Sequence, residues 1–154
     1  MMEWTNHYSI GVRAIDDEHE LIFNQLDWLV NSTSNDDLPD ILAFLSEYIT
    51  NHFVEEEKLM AMIKYVDIRK HVGIHRAFQA EIEVRVAEIE RASGKRLLVL
   101  KTELAGRTAG WLIEHIATED YRMGLAVKEF TDLALRDVDP QYLPGNQKTL
   151  PMIE

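Results

Sequence analysis

The stretch Ile49-Thr50-Asn51-His52-Phe53-Val54-Glu55-Glu56-Glu57-Lys58-Leu59 decides how the chain is read. Stepping by three and four residues from Ile41 gives Ile41, Leu45 and Tyr48, then His52 and Glu56, then Leu59 and Ile63. The spacing is that of one apolar helix face, and an imidazole and a carboxylate sit in the middle of it. Burying either group without a partner costs several kcal/mol, so a helix that turns both toward a core must find partners there.

Three other segments repeat the pattern. The first runs from about Asp17 to Val30, with Ile15, His19, Ile22, Leu26 and Leu29 on its face, and gives way to the polar loop composition of 31–35. The second, which carries the opening stretch, starts near Asp37, tolerates Pro39 in its first turn and ends about Lys64. The third spans about Asp67 to Ala92 with Ile68, His71, His75, Phe78 and Ile82 in line, and Gly94 is placed as a left-handed stop beyond it. The fourth opens near Lys95, reaches about Thr118 or further, and lines up Leu97, Leu100, Leu104, Thr108, Trp111 and His115. Tyr121 to Arg136 forms a short fifth helix, and Pro140, Pro144 and Pro151 mark 137–154 as an irregular tail. No strand-like alternation appears. The expectation is an all-α domain over 1–136: an up-down-up-down antiparallel four-helix bundle with an N-terminal arm and a C-terminal extension. Gly106 and Gly110 form a GxxxG among charged neighbours, which predicts close helix packing inside the bundle.

Composition narrows the function classes. A length of 154 residues suits one domain. The absence of cysteine excludes thiolate-bound zinc, iron–sulfur clusters and thiol catalysis, leaving His, Asp and Glu as the strong metal ligands. A net charge of −11 argues against nucleic acid and anionic membrane as partners, both of which are recognised through clustered Lys and Arg. No apolar run approaches the ~18 residues of a membrane span, and the opening Met-Met-Glu-Trp-Thr-Asn-His has no secretory character. A soluble, cytoplasmic protein is expected.

Every one of the four helices aims at least one histidine at the core. A single core histidine is ordinarily satisfied by a hydrogen bond; five of them on converging faces, with Glu56, would need five separate solutions. One or more metal ions satisfy them together. His52/Glu56 and His71/His75 are four residues apart, about 40° around a helix, so each pair can close on one ion. Val72 follows His71, so the pair is not the HExxH of a zinc protease. His115 and Asp120 are five apart, about 140° on a regular helix, and can share a site only if the helix ends or distorts between them. Trp111, Leu112 and Ile116 flank His115 as an apolar wall.

The ordered set resembles the hemerythrins, and within them the bacterial hemerythrins. It consists of His19 in Ile15-Asp16-Asp17-Glu18-His19, His52-Phe53 with Glu56-Glu57, His71-xxx-His75, and Trp111-Leu112-xx-His115-Ile116-xxx-Asp120, and it spans Trp4 to about Tyr121. The resemblance implies a non-haem centre of two iron ions with an oxo or hydroxo bridge. His71, His75 and His115 would bind one iron, His19 and His52 the other, and Glu56 and Asp120 would bridge them. Phe53, Trp111, Leu112 and Ile116 would line an oxygen pocket. The function implied is reversible dioxygen binding for storage or delivery, with no catalytic residues. The alternatives are an oxygen or redox sensor that signals to a protein partner through the arm or tail, and a ferroxidase or peroxide-consuming protein. Five neutral imidazoles with two carboxylates stabilise high-valent iron less than a carboxylate-rich site does, which favours binding over activation of oxygen. Two positions depart from the family pattern: Val66 stands where proline is frequent, and Glu18 where glutamine is common; neither is expected to touch the metal, and Glu18 is the one able to alter hydrogen bonding behind the ligands. His7, in the arm, is read as a non-ligand.

Overall fold

A computed structural model describes residues 4–31 and 38–136 of the chain. After a short 3-10 turn at Asn6–Tyr8 come α1 (Arg13–Asn31), α2 (Leu38–Met62), α3 (Ile68–Glu90) and α4 (Gly94–His115), then a π-helical segment (Ile116–Asp120) and α5 (Tyr121–Arg136). Each of α1 to α4 packs on its two sequence neighbours, and α4 closes the ring on α1. The result is an all-α, four-helix bundle with an N-terminal arm and a helical C-terminal extension; no strand occurs among the described residues. Among the described residues, no helix is long and apolar enough to cross a membrane. Of the expected loop at 31–35, Asn31 is instead the last residue of α1; positions 32–35 and the expected tail at 137–154 lie outside the described residues.

The chain breaks where its backbone chemistry allows. Pro39 occupies the first turn of α2, where no intrahelical N–H is needed. Lys64 adopts φ 55° just past α2, in the left-handed region that terminates helices. Gly94 also has φ 55° but is the first residue of α4; α3 stops earlier, at Glu90, with Arg91 in the right-handed region as its cap, so the expected glycine stop opens the next helix instead. Asp16 ties the arm to α1: its two carboxylate oxygens accept from Ser9 Oγ at 2.7 Å and from the Ile10 backbone N–H at 2.8 Å. Further on, Gly124 of α5 lies so close to Ile10 that a Cβ there would collide with the Ile10 carbonyl.

The expected faces of α1 and α3 are buried almost as written, with Ile68 half-buried. In α2 the core-facing arc is wider than the single stripe. Tyr48, Leu59 and Ile63 are only half-buried, whereas Leu42, Ile49, Phe53 and Met60 are fully inside. A helix packed between two neighbours presents more than 100° of apolar surface, and a three-four stripe traces only its midline. The GxxxG expectation is overturned: Gly106 and Gly110 are exposed, with nothing near either Cα face, and Ala105 and Ala109 are the small residues that meet the neighbouring helices.

Candidate metal centre

Four helices and the π segment deliver seven side chains to one end of the bundle, where α2 turns back into α3. His19 comes from α1, His52 and Glu56 from successive turns of α2, His71 and His75 from the first two turns of α3, and His115 from the last residue of α4. Asp120 closes the π segment. The spacing problem at His115/Asp120 is solved by this distortion. The Tyr121 N–H reaches back five residues to the Ile116 carbonyl, so one extra residue is taken up in a single turn. Asp120 thereby comes onto the face of His115, with its Oδ1 3.0 Å from the imidazole Nε2. His7 is exposed in the arm and takes no part.

The seven are 0 to 4% exposed. Their potential ligand atoms fall into two overlapping groups, each within a 4.8 Å sphere of mutual distances: Glu56, His71, His75, His115 and Asp120 in one, and His19, His52 and Glu56 in the other. The two carboxylates face both ways. Glu56 Oε1 is 3.3 Å from His52 Nε2 and 3.7 Å from His19 Nε2, while its Oε2 is 3.1 Å from His75 and 3.6 Å from His71. Asp120 repeats the division, Oδ2 lying 3.4 Å from His19 and Oδ1 3.1 Å from His71.

This geometry leaves polar atoms unmatched. His19 Nδ1 and Nε2, His52 Nε2 and all four oxygens of Glu56 and Asp120 are buried without a hydrogen-bond partner. The Nε2 atoms of His71 and His75 stand 3.1 and 3.0 Å from that of His115, three ring nitrogens pointed at one place. So many converging lone pairs in a dry core fit cations, and a donor set of imidazole with carboxylate accepts several first-row metals, iron included.

The electrostatics agree. Burial opposes charge on Glu56, and so does Asp120, but the charge of His52 and the close imidazoles of His19 and His71 hold the carboxyl well below its usual range. For Asp120 burial is likewise outweighed, by His115, His19 and His71. Burial lowers the basicity of His19 and His71, yet the facing carboxylates Asp120 and Glu56 raise both to about 9. In His75 burial prevails and the pKa falls. Two ionised carboxylates thus retain protons on neighbouring imidazoles, and a cation would take the place of those protons.

Behind the donors, Glu18 Oε2 accepts from His52 Nδ1 at 2.9 Å, which aims the other ring nitrogen into the site. Glu57, itself held by Arg76 at 3.0 Å, lies 3.5 Å from His75 Nδ1. Aromatic rings wall the centre. Phe53 stacks on His75 at 3.8 Å between centroids, and Trp111 stacks on His115 at 4.4 Å and on Phe78 at 3.7 Å. Leu112 and Ile116 are buried nearby on the same helical run, while Trp111 keeps an exposed edge. Three contributors escaped the sequence reading. Trp4 packs 5.8 Å from His19, and Lys70 meets Glu119 at 2.7 Å. Each joins segments far apart in the chain, and periodicity carries no signal for such pairs.

Comparison with known proteins places these features in a family. The model of the hemerythrin HHE cation binding domain matches residues 10–125. A bacteriohemerythrin of Clostridium acetobutylicum is 28% identical over 128 residues, covering 78% of this chain and 96% of that protein. Hemerythrin subunit 2 of Golfingia vulgaris is 28% identical over 119 residues, covering 77% and 87%. A bacteriohemerythrin of Pseudomonas aeruginosa is 27% identical over 123 residues, covering 76% and 75%. The matched span takes in the four helices of the bundle and each of the seven converging donors, and the chain belongs to the hemerythrin family.

Proposed function

We propose that the protein is a cytoplasmic carrier or store that binds dioxygen reversibly at a di-iron centre, and that it is not an enzyme. His71, His75 and His115 would hold one iron, His19 and His52 the second, and Glu56 and Asp120 would span both. The observation that carries this reading is the division of each carboxylate, one oxygen toward each histidine group. When bound, two irons supply the electrons that hold dioxygen. The chain's own residues do the rest. With three imidazoles on one side and two on the other, the His19–His52 side has fewer protein donors and is the side left able to take a small ligand. Phe53, Leu112 and Ile116 keep water from the pocket, Trp4 covers His19, and Glu18 fixes which nitrogen of His52 faces inward.

An iron count with absorption spectra taken through deoxygenation and return to air tests the reading. Two irons per chain and bands that come and go with oxygen are expected. A single zinc, or no metal retained after dialysis against iron, overturns the assignment. Irreversible bleaching with release of peroxide favours the ferroxidase or peroxide-consuming alternative.

A second reading, an oxygen or redox sensor, draws on α5. The backbone stays helical from His115 through Ile116 to Tyr121, so the segment bearing Asp120 continues directly into a helix whose Leu125, Phe130 and Leu133 are about half exposed. If protection of α5 against hydrogen exchange changes between the oxygenated and deoxygenated protein, the sensor reading gains; identical protection favours the carrier.

A further inference from the structure

The π segment is an unusual turn with few evident supports. Of its five residues, Ala117 and Thr118 are exposed, Ile116 is buried in the core, and Asp120 points into the metal centre. Glu119 is the remaining one. It is buried to 8% exposure, its Oε1 accepts from Lys70 Nζ of α3 at 2.7 Å, and Arg122 of α5 stands 3.6 Å from the same oxygen. Its Oε2 is buried without a hydrogen bond. A carboxylate shielded from water with half its acceptors unused is a poor stabiliser, and such a group is retained for where it places the chain.

Lys70 and Glu119 each directly precede a donor of the centre. Lys70–Glu119 and His71–Asp120 therefore form two adjacent cross-links between α3 and the π segment, at 2.7 and 3.1 Å. The inner link joins two groups that would hold a metal; the outer one joins two that would not. We propose that the Lys70–Glu119 ion pair is a positioning clamp that holds the π turn in register on α3, so that Asp120 is presented to His71 and His115 before any metal arrives. Glu119 and Lys70 touch no donor atom and act through Asp120. The part that Asp120 then plays as a bridge rests on the di-iron reading, whereas the register of the turn does not.

The test compares wild type with Glu119→Gln, Lys70→Met and Lys70→Arg. In the metal-free proteins, amide hydrogen exchange across 116–122 is expected to quicken about tenfold in Glu119→Gln and Lys70→Met, the effect of losing a charged, partly buried hydrogen bond. Lys70→Arg restores the ion pair and keeps exchange near wild type. After loading with ferrous iron and exposure to air, Glu119→Gln and Lys70→Met show shifted absorption bands or an iron count below wild type, and Lys70→Arg does not. Wild-type exchange rates across the π segment in Glu119→Gln overturn the clamp. If wild type holds no iron while Glu119→Gln still loosens the turn, the clamp stands and the di-iron reading falls.

Discussion

Leu26, Leu29 and Leu45 of α1 and α2 toward one end of the bundle and His19, His71 and His75 of α1 and α3 toward the other are all 0% exposed, on helix faces of the same periodicity. At the first end hydrocarbon meets hydrocarbon, and each side chain removed from water contributes about 1.5 to 3 kcal/mol without further help. At the second end the bundle closes around unpaired lone pairs and two carboxylates. One half of the core is complete as folded; the other is completed by what it binds. The stable half is what allows the other to keep its polar groups out of water.

This contrast can be broken by experiment. Saturating iron should stabilise the chain by about 4 kcal/mol at a free concentration a thousandfold above Kd, measured by urea unfolding with and without metal. No such gain is expected in Glu56→Ala, which removes an oxygen from each histidine group. Leu45→Ala should cost about 3 kcal/mol, and by the same amount in metal-free and loaded protein, because its cavity lies away from the donors. An increment that depended on metal would mean the two halves are not independent.

The pH response sharpens the comparison. His19 and His71 have pKa values raised to about 9 from 6.5, so their stabilising contribution in the metal-free chain is full below pH 6.5 and disappears as pH rises through 9. The metal-free urea midpoint should therefore fall between those values, while the increment due to Leu45→Ala stays constant. The smallest effect belongs to the arm. Gly124→Ala forces Ile10 away and should cost a net loss of about 1 kcal/mol, the overpacking being partly offset by the better helix propensity of alanine. Calorimetry detects the loss, and fluorescence of Trp4 reports whether the arm shifts over His19.

Much of this was readable in the residue order because helical periodicity is local. The faces through Ile15–Leu29 and His71–Ile82 needed only counting by three and four, and the donors were conspicuous as polar residues on apolar stripes. His115 and Asp120 announced a distortion by their spacing without saying which kind. What stayed hidden depends on contacts between distant segments. Gly124 against Ile10, Trp4 beside His19 and Lys70 on Glu119 leave no periodic trace, and the exposed Gly106 and Gly110 show that a motif without its neighbours can point the wrong way.

The π turn gears two distant tasks to one rotation. Helical backbone runs from Gly94 to Arg136, and a relaxation of Ile116–Asp120 to α-geometry, with no residue removed, would turn everything after it by about 100°. Asp120 would swing off the histidines and Gly124 off Ile10 in the same motion, carrying Phe130 and Leu133 to a new heading. A single surplus residue thus makes the fourth helix a crankshaft, on which a metal-facing carboxylate and the seat of the N-terminal arm share one angular setting.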